Sequence, residues 1–413
     1  MYYLLRRHRG RGRPRRFLGS TMKTLEVRRL TLRDVGRFEK FDITFSDGLN
    51  IICGTNGVGK TTILDAVAAS FILNTYVGLR GRASAQSPGE IFVEISNEGQ
   101  TEARSGRVGK FEIEAETFPF GFQKLSRFLI HIKASRDFSY QRFTSIGGDL
   151  ERPDNSTQTQ ASQGISPNEI KQWFANRWLF QGHSGSWPLH QVENLELAVS
   201  AFSLLDSRVK LSHVDTSTFD VFVETPDGTL PFEMLSSGFR ASYAIVLGLI
   251  KEIEFRKLGV ARCFDGVILI DEIDLHLHPS WQQRIAPALS GVFPAAQIIA
   301  TTHSPHVIQS TRTGEVIALV DGPEGPRINQ LQLNAYGFQG WTIEEILRDV
   351  MGLDDVVTSE YRDAVRNFDD AIDREEAAAV KEALDVLQDM LHPSNQLRKI
   401  LRLQAAPFLG GDR

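Results

Sequence analysis

The sequence predicts an α/β fold: a mixed sheet flanked by helices, with a helical lid inserted and a helical tail. Three segments carry that prediction. Gly54-Thr55-Asn56-Gly57-Val58-Gly59-Lys60-Thr61 fits G-x-x-x-x-G-K-[ST] and lies between an apolar run, Leu49 to Cys53, and a helical pattern, Ile63 to Phe71. That is the strand, loop and helix order a phosphate-binding loop requires. Val267-Ile268-Leu269-Ile270 is four apolar residues followed by Asp271 and Glu272, the pattern of a buried parallel strand that delivers carboxylates at its C-terminal edge. Gln297 to Thr302 reads as another buried strand, ending at His303-Ser304-Pro305.

Ahead of the loop, Leu25 to Leu32 and Phe38 to Phe45 read as strands joined by a turn at Asp34 to Gly36, and Asp47-Gly48 turns the chain into the strand that feeds the loop. They predict an antiparallel flap beside the nucleotide, continued by Ile91 to Ile95 and Phe111 to Ala115. Residues from about Phe118 to Asp215 form an insertion with the aromatics Trp173, Phe174, Trp178 and Trp187, and with a polar stretch, Asp149 to Pro167, expected to be mobile. No heptad repeat is sustained in it, so a compact helical lid is expected in place of a coiled coil. The aromatics are read as the core of that lid in preference to a platform for bases. After His303, Val316 to Val320 predicts a strand, and Thr342 with Glu345 has the capping-box spacing of a helix that runs to Met351. Arg374 to Met390 and Ser394 to Leu403 predict two further helices. The segments so defined are 1–21, 22–117, 118–215, 216–335 and 336–413.

The residue types fit one chemistry. Glycines let the loop backbone curl so that successive N–H groups point at a phosphate, and the following helix start favours an anion. Lys60 reaches the β/γ oxygens of a nucleoside triphosphate, Thr61 suits Mg²⁺, and Thr62 belongs to the same turn. Asp271 suits the metal shell and Glu272 a base for the attacking water, because neighbouring strand residues point in different directions and serve metal and water separately. His276 and His278 form a His-x-His beside carboxylates, but no third ligand of sensible spacing accompanies them.

Composition bounds the alternatives. A chain of 413 residues with 41% hydrophobic and 23% charged residues is that of a globular protein able to bury a sizeable core. Its two cysteines, Cys53 and Cys263, flank expected core strands and indicate a reduced, cytoplasmic setting. No apolar run approaches the ~20 residues that cross a bilayer, so no membrane partner is expected. Seven arginines and no acid occur in residues 1–21, and without them the net charge falls from −5 to −12. A nucleic-acid arm, a targeting segment and translation from a start upstream of Met22 all compete as explanations. The strand pattern that begins at once after Met22 favours a disordered extension of little function.

Leu235-Ser236-Ser237-Gly238-Phe239-Arg240 opens an apolar helical stretch, and a helix start is by itself a sufficient reading of it. Taken in order, however, the phosphate loop, this Ser-Ser-Gly signature, the Asp-Glu strand end and His303 after Thr301-Thr302 resemble the ABC-type ATPase heads of the SMC and RecF group, and within it the OLD-like and Septu-like bacterial ATPases. The resemblance covers residues 23 to about 310 and implies a P-loop NTPase with an ABC-ATPase-type sheet. It further implies that Ser236, Ser237 and Gly238 bind the γ-phosphate held by a partner subunit, that His303 senses that phosphate, and that ATP and Mg²⁺ are the cofactors. A glutamine at a strand end in the insertion would contact Mg²⁺; Gln86, Gln123 and Gln141 all fall in the right span, with Gln141 ranked first. Where transport cassettes carry a final aspartate this chain has His278, while Leu277-His278-Pro279 resembles the OLD-like and Septu-like branch.

The role implied is a bacterial DNA-related switch, in phage defence or repair. It would work as a homodimer or higher oligomer with a nuclease effector such as an HNH protein, and with DNA as a further candidate partner. The alternatives are a slow-turnover ATP-binding scaffold that restrains a toxic effector, and a repair head like RecF. OLD-family chains also carry a Toprim-type nuclease domain, but here too few residues follow the head for one. Asp369, Asp370 and Asp373 are read instead as a solvated helix face.

Overall fold

The computed structural model describes residues 23–73, 78–110, 121–136, 140, 142–149, 152–204, 206–353 and 357–409. Phe111 to Ala115, Gln141 and residues 1–21 therefore lie outside the described residues. The chain divides into two compact units, Met1–Gly340 and Trp341–Arg413.

In the first unit the strands are β1 (Leu25–Val35), β2 (Phe38–Thr44), β3 (Leu49–Gly54), β4 (Gly89–Asn97), β5 (Gln100–Val108), β6 (Leu129–Ile132), β7 (Lys210–Val214), β8 (Val221–Thr225), β9 (Gly228–Pro231), β10 (Val267–Ile270), β11 (Gln297–Thr301), β12 (Val316–Val320) and β13 (Arg327–Ile328). Its helices are α1 (Lys60–Ala69), α2 (Asp154–Gln163), α3 (Pro167–Phe180), α4 (Leu189–Ala201), α5 (Ser237–Phe255), α6 (Pro279–Val292) and α7 (Pro305–Gln309). Three sheets result: β2-β1-β4-β5, antiparallel; β13-β12-β3-β11-β10-β6, parallel except for β13; and the antiparallel β7-β8-β9.

The apolar runs bury both faces of the central sheet, as a parallel sheet requires. Alternation sends Ile268, Ile270, Ile298 and Ala300 into one core with α5 and the lid. Val267, Leu269 and Ile299 point the other way and join a second core with α1 and the antiparallel flap.

The insertion differs from a free-standing lid. Leu129-Ile130-His131-Ile132 pairs in parallel with β10 and forms an edge of the central sheet, so only the chain beyond this strand is lid. The polar stretch expected to be mobile contains α2, because its inward residues are satisfied by hydrogen bonds where apolar contacts are lacking. The Thr157 and Ser126 hydroxyls pair at 2.7 Å, the Gln160 amide donates to the His131 carbonyl at 2.7 Å, and Arg256 donates to Gln160 at 2.6 Å. Trp173 and Phe174 are buried in the lid core. Lid and α5 are joined by buried charges that are each paired, as burial demands: Lys251 with Glu169 at 2.8 Å, Arg152 with Glu252 at 3.2 Å, and Arg177 with Glu254 at 2.6 Å.

In the second unit, α8 (Ile343–Glu345) starts at the Thr342/Glu345 capping box and runs into a π-helical turn, Ile346–Val350. The expected helix over Arg374 to Met390 begins later, as α10 (Ala377–Met390), and is preceded by α9 (Ser359–Asp373), which also holds the exposed Asp369, Asp370 and Asp373. Glu375, at φ 54°, makes the corner between them. α11 (Leu397–Ala405) closes a small core of its own with Phe368, Leu384 and Leu387.

Candidate nucleotide site

Motifs more than two hundred residues apart meet because their strands are parallel neighbours. β3, β11, β10 and β6 lie side by side, so Gly54, Thr301-Thr302-His303, Asp271-Glu272 and Lys133 all emerge at one sheet edge. That C-terminal edge is where open α/β sheets bind ligands.

The loop conformation depends on missing side chains. Gly54 (φ 145°) has no room for a Cβ, which would lie 2.3 Å from the Leu319 carbonyl oxygen, and a Cβ at Gly59 (φ 109°) would lie 2.6 Å from the Phe38 ring. The flap therefore buttresses the loop from β2. Arg37, at the tip of the flap, donates to the Gly57 carbonyl at 3.0 Å and pairs with Asp321 at 3.0 Å. Val58 is fully buried beneath the loop, while Asn56 and Gly57 are exposed at its crest.

Lys60 is 4% exposed, and its ammonium donates to the carbonyls of Gly54 and Thr55 at 2.9 Å each. Burial lowers its pKa to about 8, against the opposing pull of nearby anionic groups. The Thr55 hydroxyl is buried without a hydrogen-bond partner among the described residues. A buried ammonium resting on carbonyls, an orphaned hydroxyl, positive-φ glycines and the start of the ten-residue α1 together fit a polyphosphate.

The Thr61 hydroxyl donates to both Asp271 oxygens, at 3.1 and 3.2 Å, so the two residues proposed to hold Mg²⁺ already face each other; the donor set of hydroxyl and carboxylate suits that ion. The Thr301 hydroxyl donates to Asp271 Oδ1 at 2.6 Å and accepts from the Glu272 N–H at 2.7 Å. One hydroxyl thus fixes both acids. Glu272 sits at φ 49°, a left-handed conformation costly for a residue with a Cβ, and its carboxylate has no hydrogen-bond or ion-pair partner among the described residues. Thr62 stands next in α1, its methyl 3.1 Å from where a Cβ on Gly36 would lie.

Behind His303 stands Asp274, whose Oδ1 accepts from the Thr302 hydroxyl at 2.5 Å and from the His303 N–H at 3.2 Å. No local pattern marks this residue in the sequence, because the contact exists only once β10 and β11 are adjacent. His278 is engaged elsewhere: its Nδ1 faces the Ser280 hydroxyl at 2.9 Å and caps α6. His276 is exposed, at φ 66°. No group of three or more metal-binding side chains is assembled among the described residues.

No glutamine stands at the end of β6; Lys133 follows it directly. Gln123 lies before the strand and Gln86 is exposed in a turn of the flap.

Ser236 and Ser237 occupy the start of α5. Both are exposed, and Ser236, although the N-cap by position, makes no capping bond with its side chain. Gly238 is buried against the segment after the acids, where a Cβ would lie 2.7 Å from the His276 carbonyl oxygen, and Phe239 stacks edge-on against Trp281 at 3.9 Å. No hydrogen bond joins residues 236–238 to residues 54–62 among the described residues.

Residues 49–309 match the family described as "AAA domain, putative AbiEii toxin, Type IV TA system". Over 391 residues the chain is 38% identical to the Septu protein PtuA of Bacillus thuringiensis, covering 93% of this chain and 98% of that protein. It is 34% identical over 146 residues to the "Retron Ec83 probable ATPase" of Escherichia coli, 34% of this chain and 26% of that one. The SMC head domain from Thermotoga maritima aligns with 74% of this chain and 99% of its own, at 15% identity and a TM-score of 0.43.

Proposed function

The chain belongs to the Septu PtuA family of ATPases, and we propose that it is an Mg²⁺-dependent switch whose two ATP sites are completed only when two heads meet. The observation that carries this is the state of the signature. Ser236 and Ser237 present uncapped, solvent-facing hydroxyls at the start of α5, and no hydrogen bond uses these hydroxyls among the described residues. A helix start with free hydroxyl and N–H donors suits a phosphate supplied from outside.

Within one site, Lys60 and the loop N–H groups hold the β- and γ-phosphates, and Thr61 and Asp271 hold the metal. Mg²⁺, when bound there, neutralises charge that builds on the phosphate oxygens. Glu272 orients the attacking water and accepts its proton; an uncommitted carboxylate beside the metal-binding acid is what that role requires. His303 donates to the γ-phosphate, held in place by Asp274. Ser236, Ser237 and Gly238 of the second head close the site. ATP occupancy then sets the dimer, and the dimer sets the state of a nuclease effector of the HNH type acting on DNA, in defence against phage. The family membership supports that role. No helix among the described residues is long and apolar enough to cross a membrane.

Glu272→Gln tests this. It preserves size and most hydrogen bonding but removes the base, so ATP should bind, turnover should fall by about 10² to 10⁴, and an ATP-bound dimer should accumulate in sizing chromatography. Only monomer with ATP and Mg²⁺ would overturn the head-to-head arrangement.

A further inference from the structure

Among the described residues, the central sheet presents a cation beside the two acids at its edge. β6 ends at Ile132, whose carbonyl accepts from the Asp271 N–H at 2.8 Å, and four residues later the chain reaches Arg136. This side chain is 6% exposed. Its guanidinium donates to the Asp271 carbonyl at 2.9 Å and to the Glu272 carbonyl, with a longer contact of 3.4 Å to the carbonyl of Lys133.

Arg136 differs from the other buried arginines of this unit. Arg177 and Arg256 are both ion-paired to carboxylates, whereas Arg136 has no carboxylate partner among the described residues. Its two terminal nitrogens donate to two successive backbone carbonyls, while Nε has no partner among the described residues, and this fork fixes the peptide planes on either side of Glu272. Those planes set where the Glu272 side chain points, and Glu272 is held at φ 49°, a left-handed conformation that residues with a Cβ adopt at a cost. Burial lowers the Arg136 pKa to about 10, with Asp271, Asp274 and Glu272 opposing the shift, so the group stays charged at neutral pH.

We propose that Arg136 is a positioning residue for ATP hydrolysis: by bridging the carbonyls of Asp271 and Glu272 it holds the Glu272 carboxylate where it orders the attacking water, and it ties that setting to the segment leading out of the sheet. This rests on Glu272 being the base. The segment from Lys133 to Arg136 directly follows β6 and is the chain's exit from the central sheet.

The test compares Arg136→Lys, Glu272→Gln and the double variant in the full-length chain. A lysine keeps the charge, but its single ammonium cannot reproduce the planar fork, so turnover should fall by about 10²-fold. Equilibrium ATP affinity should stay within about threefold of wild type, since the phosphate loop is untouched. Because Arg136 acts through Glu272, the double variant should turn over no more slowly than Glu272→Gln alone. Arg136→Ala serves only as a check of folding by thermal melting. Wild-type turnover by Arg136→Lys, a loss of ATP affinity in step with turnover, or multiplied losses in the double variant would each overturn the inference. Wild-type turnover by Glu272→Gln alone removes the base assignment itself, a failure that does not involve Arg136.

Discussion

The Lys60 ammonium and the His303 ring meet at 3.4 Å, Nζ to Nδ1. An ammonium only donates, so Nδ1 is the acceptor and the ring proton resides on Nε2. Burial, and then the Lys60 charge, hold the His303 pKa below its ordinary value, which favours the neutral ring. The lysine thereby selects the tautomer that leaves His303 a donor on its far side, the form a phosphate sensor needs.

The same lysine gives ATP affinity a pH dependence. With its pKa lowered to about 8 in the free chain, Lys60 loses charge above that value, and a polyphosphate favours the charged form. Affinity should be level below pH 8 and fall by up to about tenfold per pH unit above it, with proton uptake on binding. For folding the sign is opposite. The unfolded chain, with a lysine near 10.5, holds its proton longer than the folded one, so between about 8 and 10.5 this group makes the nucleotide-free chain more stable as pH rises. Calorimetric titrations in buffers of different ionisation enthalpy, paired with thermal melts, check both. Affinity that stays constant through this window would remove Lys60 as the phosphate's counter-ion.

Asp274 offers a cleaner test of geometry. Its Oδ1 takes both the Thr302 hydroxyl and the His303 N–H, so Asp274→Ala leaves two donors unsatisfied, each a cost of about 1–3 kcal/mol. The segment carrying His303 should loosen, and turnover should drop by about 10- to 100-fold with ATP binding retained. Asp274→Asn keeps an acceptor oxygen and should preserve most of the activity. Steady-state hydrolysis of both variants decides the matter: equal losses would show that the charge, not the acceptor, is what the site uses.

How much is legible in the sequence depends on how local each signal is. The phosphate loop and the Asp271-Glu272 strand end are contiguous, and their residue types have few other uses. Asp274 and Arg136 act on the backbone of neighbouring strands, so nothing near them in sequence announces the role. β5 carries no alternating signature because it is a sheet edge whose buried positions are only Gly106 and Val108. α2 shows no apolar period because Thr157, Gln160 and Ala161 are what it buries. α9 is different: Tyr361, Ala364, Val365, Phe368, Ala371 and Ile372 recur at helical spacing and form its inward face, a period that is legible between the acids. Where burial is accomplished by hydrogen bonds or small residues, hydrophobic periodicity has nothing to register.

The shared-site arrangement is best tested by mixing two defective chains. Ser237→Arg places a bulky cation where a second head's γ-phosphate must dock, at an exposed position remote from its own loop in hydrogen-bonding terms. That chain should bind ATP as a monomer but neither dimerise nor hydrolyse. Lys60→Ala removes the ammonium from its seat on the Gly54 and Thr55 carbonyls and should abolish nucleotide binding. In a heterodimer of the two, one site carries both defects and the other carries neither, because the intact loop of the first chain faces the intact signature of the second. Hydrolysis should therefore recover in part on mixing, toward about half the wild-type rate per dimer if one occupied site holds the pair. Full activity of Ser237→Arg by itself would reduce Leu235 to Arg240 to an ordinary helix start and end the case for composite sites.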